Sequence, residues 1–140
     1  MGFYGAFYKM GIKGDHHRGY CNIAFLYLKG LGVDIDYKEG MHYLKLGWEH
    51  GDAECCHNLG YLALNGLGMP KNEKMAFDYF MKGALAGNVN CCKDLVKCYE
   101  RGWGVEPDKE QALLWSDRVI IAMDNLTKTN YKTGALNFLR

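Results

Sequence analysis

No apolar stretch in this 140-residue chain approaches the roughly 20 residues that a membrane-spanning helix needs, so no membrane partner is expected. Charge of one sign is lacking too. Seventeen basic against sixteen acidic residues leave a net charge of +1, which gives no global attraction to nucleic acid or to an anionic surface. The opening MGFYGAFYKM has no basic start followed by an apolar run, so it is not a secretory signal. Ala6 stands where the myristoylation pattern requires a hydroxyl residue. Sustained two-residue alternation is also missing, and with it the signature of a half-buried strand, so no sheet is expected. The length fits one domain with a real core, and a hydrophobic fraction of 49% with 24% charged residues is ordinary for a globular protein.

What the sequence does contain is a repeat. Gly30-Leu31-Gly32, Gly66-Leu67-Gly68 and Gly102-Trp103-Gly104 are each 36 residues apart. The same offset aligns Asn22, Asn58 and Asp94; Ile23, Leu59 and Leu95; Gly40, Ala76 and Ala112; Tyr43, Tyr79 and Trp115; and Gly11, Gly47 and Gly83. Each unit reads as two helices. Cys55, Leu59 and Leu62 form an apolar stripe on the first, and Ala76, Tyr79, Phe80 and Gly83 form one on the second. The Gly-x-Gly turn supplies the stop of the first helix, where glycine adopts the left-handed conformation cheaply. Asp36, Asn72 and Asp108 cap the second helix. Glu39 and Gln111, three residues on, complete the pattern of a capping box. Gly47 and Gly83 suit close helix packing.

These residues resemble the Sel-one-like repeat, a relative of the tetratricopeptide repeat with a slightly longer unit. The resemblance rests on Gly51-Asp52-Ala53-Glu54-Cys55, Leu59-Gly60, Gly66-x-Gly68, Asn72, Ala76, Tyr79, Gly83 and Gly87, and covers about residues 7 to 123. Departures fall on core positions. Ala63 replaces the aromatic kept as Tyr27 and Tyr99, and the Leu-Gly pair becomes Ile23-Ala24 and Leu95-Val96. The resemblance implies an all-α solenoid of stacked antiparallel helix pairs spanning 1–140. It divides into a half repeat at 3–14, repeats at about 16–51, 52–87 and 88–123, and a cap at 124–140, with about seven helices in all.

The six cysteines are Cys21, Cys55, Cys56, Cys91, Cys92 and Cys98. Four lie in adjacent pairs, which cannot bridge each other comfortably on a helix. The expectation is six free thiols in a reducing compartment, the cytoplasm. One branch of the family, the cysteine-rich bacterial secreted proteins, staples each repeat with a disulfide, and some of its members bind or hydrolyse β-lactams. Cys56 and Cys92 match one half of that staple, but the other half would fall at Trp48 and Ala84. The resemblance therefore points away from that branch, its disulfides and its activity.

The chemical candidates are thin. A Gly-x-Gly that ends a helix and follows no strand is not a phosphate loop. Adjacent cysteines on a helix point about 100° apart, so Cys55-Cys56-His57 with Cys91-Cys92 does not chelate as a Cys-x-x-Cys pair does. Cys55 and Cys91 read instead as small buried hydrophobes. Asp15-His16-His17 reads as a solvated helix start. No serine or cysteine has an evident base partner, and no paired acids are recognisable. No catalytic residue, metal or cofactor is expected, and the chain is read as not an enzyme.

Surface remains. In the related repeats the first helix of each unit lines the concave face. The resemblance then places Arg18, Cys21, Phe25, Leu28 and Lys29 there from the first repeat. The second contributes Glu54, His57, Tyr61, Leu64 and Asn65, and the third Asn90, Lys93, Lys97, Glu100 and Arg101. Such a groove suits a protein or peptide with acidic residues and an apolar anchor. The competing reading makes Phe25 and Tyr61 core and the charges mere solvation. In function this is an interaction module or adaptor, or an inhibitor such as an immunity protein against a cognate toxin. The alternative of another class is a hydrolase like those of the cysteine-rich branch. At the ends, Phe3, Tyr4, Phe7 and Tyr8 form an aromatic ridge expected to pair with a second copy or with the partner. Leu136, Phe138 and Leu139 are expected to fold back as a cap.

Overall fold

The computed structural model describes residues 17–130, with side chains from 19 to 127. The half repeat at 3–14, its aromatic ridge, Asp15-His16, the Arg18 side chain and the cap residues Leu136, Phe138 and Leu139 lie outside the described residues. Within them there are six helices and no strand: α1 His17–Lys29, α2 Tyr37–Glu49, α3 Glu54–Asn65, α4 Glu73–Leu85, α5 Val89–Arg101 and α6 Lys109–Asn130. They pack as three antiparallel pairs, α1 with α2, α3 with α4 and α5 with α6, and the pairs stack through α2–α3, α4–α5 and α3–α5.

The caps explain where the helices start. Asp36 accepts a hydrogen bond from the Glu39 amide at 3.1 Å, Asn72 from the Met75 amide at 2.9 Å, and Asp108 from the Gln111 amide at 3.1 Å. The reciprocal half of a capping box does not form as the sequence suggests. The amides of Asp36, Asn72 and Asp108 donate instead to the carbonyls of Tyr27, Ala63 and Tyr99 at 3.0, 2.8 and 2.9 Å. Each bond ties the start of the second helix to the end of the first, so the cap residue also closes the turn. Gly66 and Gly102 end α3 and α5 in the left-handed conformation, with φ of 66° and 75°. The second glycine of each turn has a different task. A Cβ at Gly68 would crowd Tyr37 at the head of α2, and one at Gly104 would overlap the Glu73 carbonyl at the head of α4. The turns of the second and third repeats thus seat on the second helix of the repeat before them.

The core follows the predicted stripes. Ala24, Leu44, Cys55, Leu59 and Leu62 are buried between the first two repeats. Cys56, Ala63, Ala76, Phe77, Phe80, Cys91, Leu95, Cys98 and Trp115 are buried between the second and third. Glycines at repeat-equivalent positions make room: a Cβ at Gly47 would strike the Cys55 sulfur, and one at Gly83 the Cys91 sulfur.

One expectation is overturned. Cys21 on α1 and Cys55 on α3 form a disulfide, with their Cα atoms 6.2 Å apart and a sequence separation of 34. That spacing lies within the range a disulfide spans without backbone movement. Unlike the family's staple within each repeat, this one joins the first helices of successive repeats. Cys56, Cys91, Cys92 and Cys98 are free and buried. Denatured without reductant, the protein should show four reactive thiols, rising to six after reduction; six before reduction would remove the bond.

Candidate protein-interaction face

The first helices α1, α3 and α5 carry the proposed face, and the repeat places its residues in rows. Phe25, Tyr61 and Lys97 occupy one repeat position on successive helices. Phe25 is 50% exposed and Tyr61 53%, so the reading that makes them core does not hold. Lys29, Asn65 and Arg101 occupy a second row, one turn on, and all are exposed, as is Lys93. The Asn65 amide donates to the Tyr61 carbonyl at 2.9 Å, and the Arg101 guanidinium lies over the Trp103 ring, 5.1 Å from its centroid.

Glu54 and His57 sit deeper than the sequence suggests, because neighbours in the chain hold them. The Glu54 carboxylate accepts from the Asn88 amide at 2.7 Å and from Asn90 at 3.1 Å. His57 Nδ1 pairs with the Asp94 carboxylate. Both links cross from α3 to α5, so they join the second repeat to the third. The hydrogen bond that the Asp94 carboxylate accepts raises the His57 pKa above its ordinary value, against the opposing effect of burial. His57 occupies the repeat position of Cys21, and Cys91 that of Cys55. At the second junction the positions equivalent to the disulfide hold a histidine and a free thiol, and the histidine is bonded to Asp94.

A histidine oriented by a carboxylate is also the base and orienter of a hydrolytic triad. Burial works against the thiols of this junction as its nucleophile. Burial pushes Cys56 up to about 11 and Cys98 up to about 12, and raises Cys91 as well, with Asp94 adding to the effect at Cys91 and Cys98. These thiols stay protonated at neutral pH and act as core residues. A further feature escaped the sequence reading. The α6 helix exposes Leu113, Leu114, Ile120, Ile121 and Leu126 on the outer side of the last described pair.

The Sel1 repeat model matches residues 17–52, 53–88 and 94–118, well over half of the chain. The chain belongs to the Sel1 repeat family. Sel1 repeat proteins serve broadly as protein-interaction scaffolds. Among solved structures, a Sel1 repeat protein from Oxalobacter formigenes superposes with a TM-score of 0.81 at 24% identity, over 84% of this chain and 49% of that one. A protective antigen of uropathogenic Escherichia coli displaying an SLR fold gives 0.75 at 26% identity, over 93% of this chain and 29% of that one. The cysteine-rich protein B of Helicobacter pylori gives 0.66 at 19% identity, over 84% of each chain. This chain therefore spans about half of the first of these proteins and under a third of the second. No curated protein matches the sequence. The disulfide corrects the placement of the chain wholly apart from the disulfide-stapled members: it carries a staple, though between repeats. No described helix is long and apolar enough to cross a membrane.

Proposed function

We propose that this chain is a binding module, an adaptor that holds a protein segment with an apolar anchor and acidic residues on the face of its first helices. The observation that carries this reading is the pair of half-exposed rings, Phe25 and Tyr61, at equivalent repeat positions. Helix packing leaves them uncovered, at the cost of keeping two aromatic surfaces in water. Beside them the same face turns basic through Lys93, Lys97 and Arg101, which favours acidic residues in the segment bound. Glu54 and His57 shape the floor between the two regions through their bonds to α5. The compartment proposed is the cytoplasm, where the Cys21–Cys55 bond meets thiol reductants.

Reversing Lys93, Lys97 and Arg101 to Glu separates binding from folding. Solvated charges move stability by about 0.5 kcal/mol or less, so the melting temperature should hold. Affinity for a partner captured with the wild-type protein should fall at least tenfold and lose most of its salt dependence. Calorimetric titration at two ionic strengths reads both, and an unchanged affinity removes this face from the reading. Phe25→Ala with Tyr61→Ala should weaken the same partner without changing the salt dependence.

A further inference from the structure

We propose that the reduced protein holds a zinc ion on Cys21, Cys55 and Asp52, so that the disulfide switches a metal site on and off. In the disulfide form the bonded sulfurs of Cys21 and Cys55 and a carboxylate oxygen of Asp52 all lie within 4.8 Å of one another, and reduction frees the sulfurs to part around an ion. Two thiolates and a carboxylate are ligands that zinc takes readily, at about 2.3 Å for sulfur and about 2.0–2.2 Å for oxygen. Residues from α1, the loop before α3 and α3 itself converge here. Gly47 on α2 lies directly against the pair: a Cβ there would strike the Cys55 sulfur and touch that of Cys21. Asp52 is already oriented, because one of its oxygens accepts the Glu54 amide at 3.0 Å. Such an outer bond is what fixes a ligating carboxylate in place.

Three protein ligands leave a fourth position, and the structure gives it somewhere to open. Cys21 and Asp52 line a cleft of about 650 Å³ together with Asn22, Glu54, Gly87 and Asn88. A water, or a side chain of the bound segment, completes the tetrahedron from that side. The disulfide and the metal exclude each other, since sulfurs bonded to each other are no longer thiolates. Reduction consumes a dithiol of the cellular thiol pool. Its thiolate attacks the Cys21 sulfur, which is the more exposed of the two, and Cys55 leaves as a thiolate. The second thiol of the reductant then resolves the mixed disulfide, releases Cys21, and leaves the reductant as a disulfide. Two electrons and two protons pass to the pair. Zinc binding then displaces the protons of the two thiols.

Cobalt(II) reports the site by its colour. Protein reduced, freed of reductant under argon and titrated with Co²⁺ should develop a thiolate-to-cobalt charge-transfer band and the visible bands of tetrahedral cobalt. They should saturate at one equivalent and be bleached by Zn²⁺. The oxidised protein should give neither set of bands. Asp52→Asn, a change in a partly exposed loop, should weaken Co²⁺ binding at least tenfold while leaving the helical circular dichroism unchanged. The double variant Cys21→Ser, Cys55→Ser should lose the charge-transfer band. A reduced protein without that band overturns the proposal. So does a folded double variant that keeps it, since the metal would then sit on other thiols.

Discussion

Gly104→Ala should lower the unfolding free energy by about 3 kcal/mol, more than an ordinary surface change by severalfold. Two costs add at this residue. Its φ of 72° lies in the left-handed region, where a side chain costs about 1–2 kcal/mol. The new methyl would also overlap the Glu73 carbonyl, and backbone at the first turn of α4 cannot swing aside as a side-chain tip does. The third repeat must then lift off the second, or the turn must rebuild. Gly87→Ala is the control. Gly87 also has positive φ, 92°, but nothing lies within 4 Å of a Cβ there. It should lose about 1–2 kcal/mol, from conformational strain alone. Urea unfolding of the two variants measures the difference, which isolates the contact between turn and preceding repeat. Equal losses would show that the second glycine of the turn serves backbone conformation only.

That contact marks a boundary of what the sequence conveyed. The 36-residue period, the two stripes and the caps at Asp36, Asn72 and Asp108 were legible because each is a local pattern with a local cause. The second glycine of each turn was legible as a glycine, but its reason lies 31 residues earlier, at Tyr37 for Gly68 and at Glu73 for Gly104. Features that cross between repeats were harder. The family's staple puts a cysteine's partner eight residues upstream, inside one repeat, where this chain has Trp48 and Ala84. Cys21 and Cys55 are two residues short of one full period apart, which is where stacked first helices face each other. The same blind spot hid His57–Asp94. In sequence Asp94 aligns with Asn22 and Asn58 as a polar position, and its link to the preceding repeat becomes visible only once α3 and α5 are side by side. Phe25 and Tyr61 read from the sequence as first-helix residues, but their exposure depends on how the helices pack around them.

Asp94→Ala should destabilise the protein by roughly 1–3 kcal/mol at mildly acidic pH and by clearly less at alkaline pH. The half-buried His57 loses its acceptor in this variant, and the tie between the second and third repeats goes with it. The sign of the pH effect follows from linkage. The Asp94 bond raises the His57 pKa above the value of about 6.5 it has in the unfolded chain. Glu54 raises it further, while burial and Lys97 act in the other direction. The folded state therefore binds the proton more tightly than the unfolded state. Its stabilisation is fully present below the unfolded pKa and is lost as pH rises through the folded one. Wild-type stability should accordingly decline across that window, after the contributions of other groups are removed by comparison with His57→Gln. In Asp94→Ala the His57 pKa should fall toward or below its unfolded value, and the decline should flatten or reverse. Titration of the His57 ring by NMR gives the pKa directly, and urea midpoints on both sides of it give the stability. A wild-type His57 that titrates at or below the unfolded value would mean that the imidazole meets Asp94 as a neutral donor. The pair would then hold the repeats together by hydrogen bonding, with no ionic part.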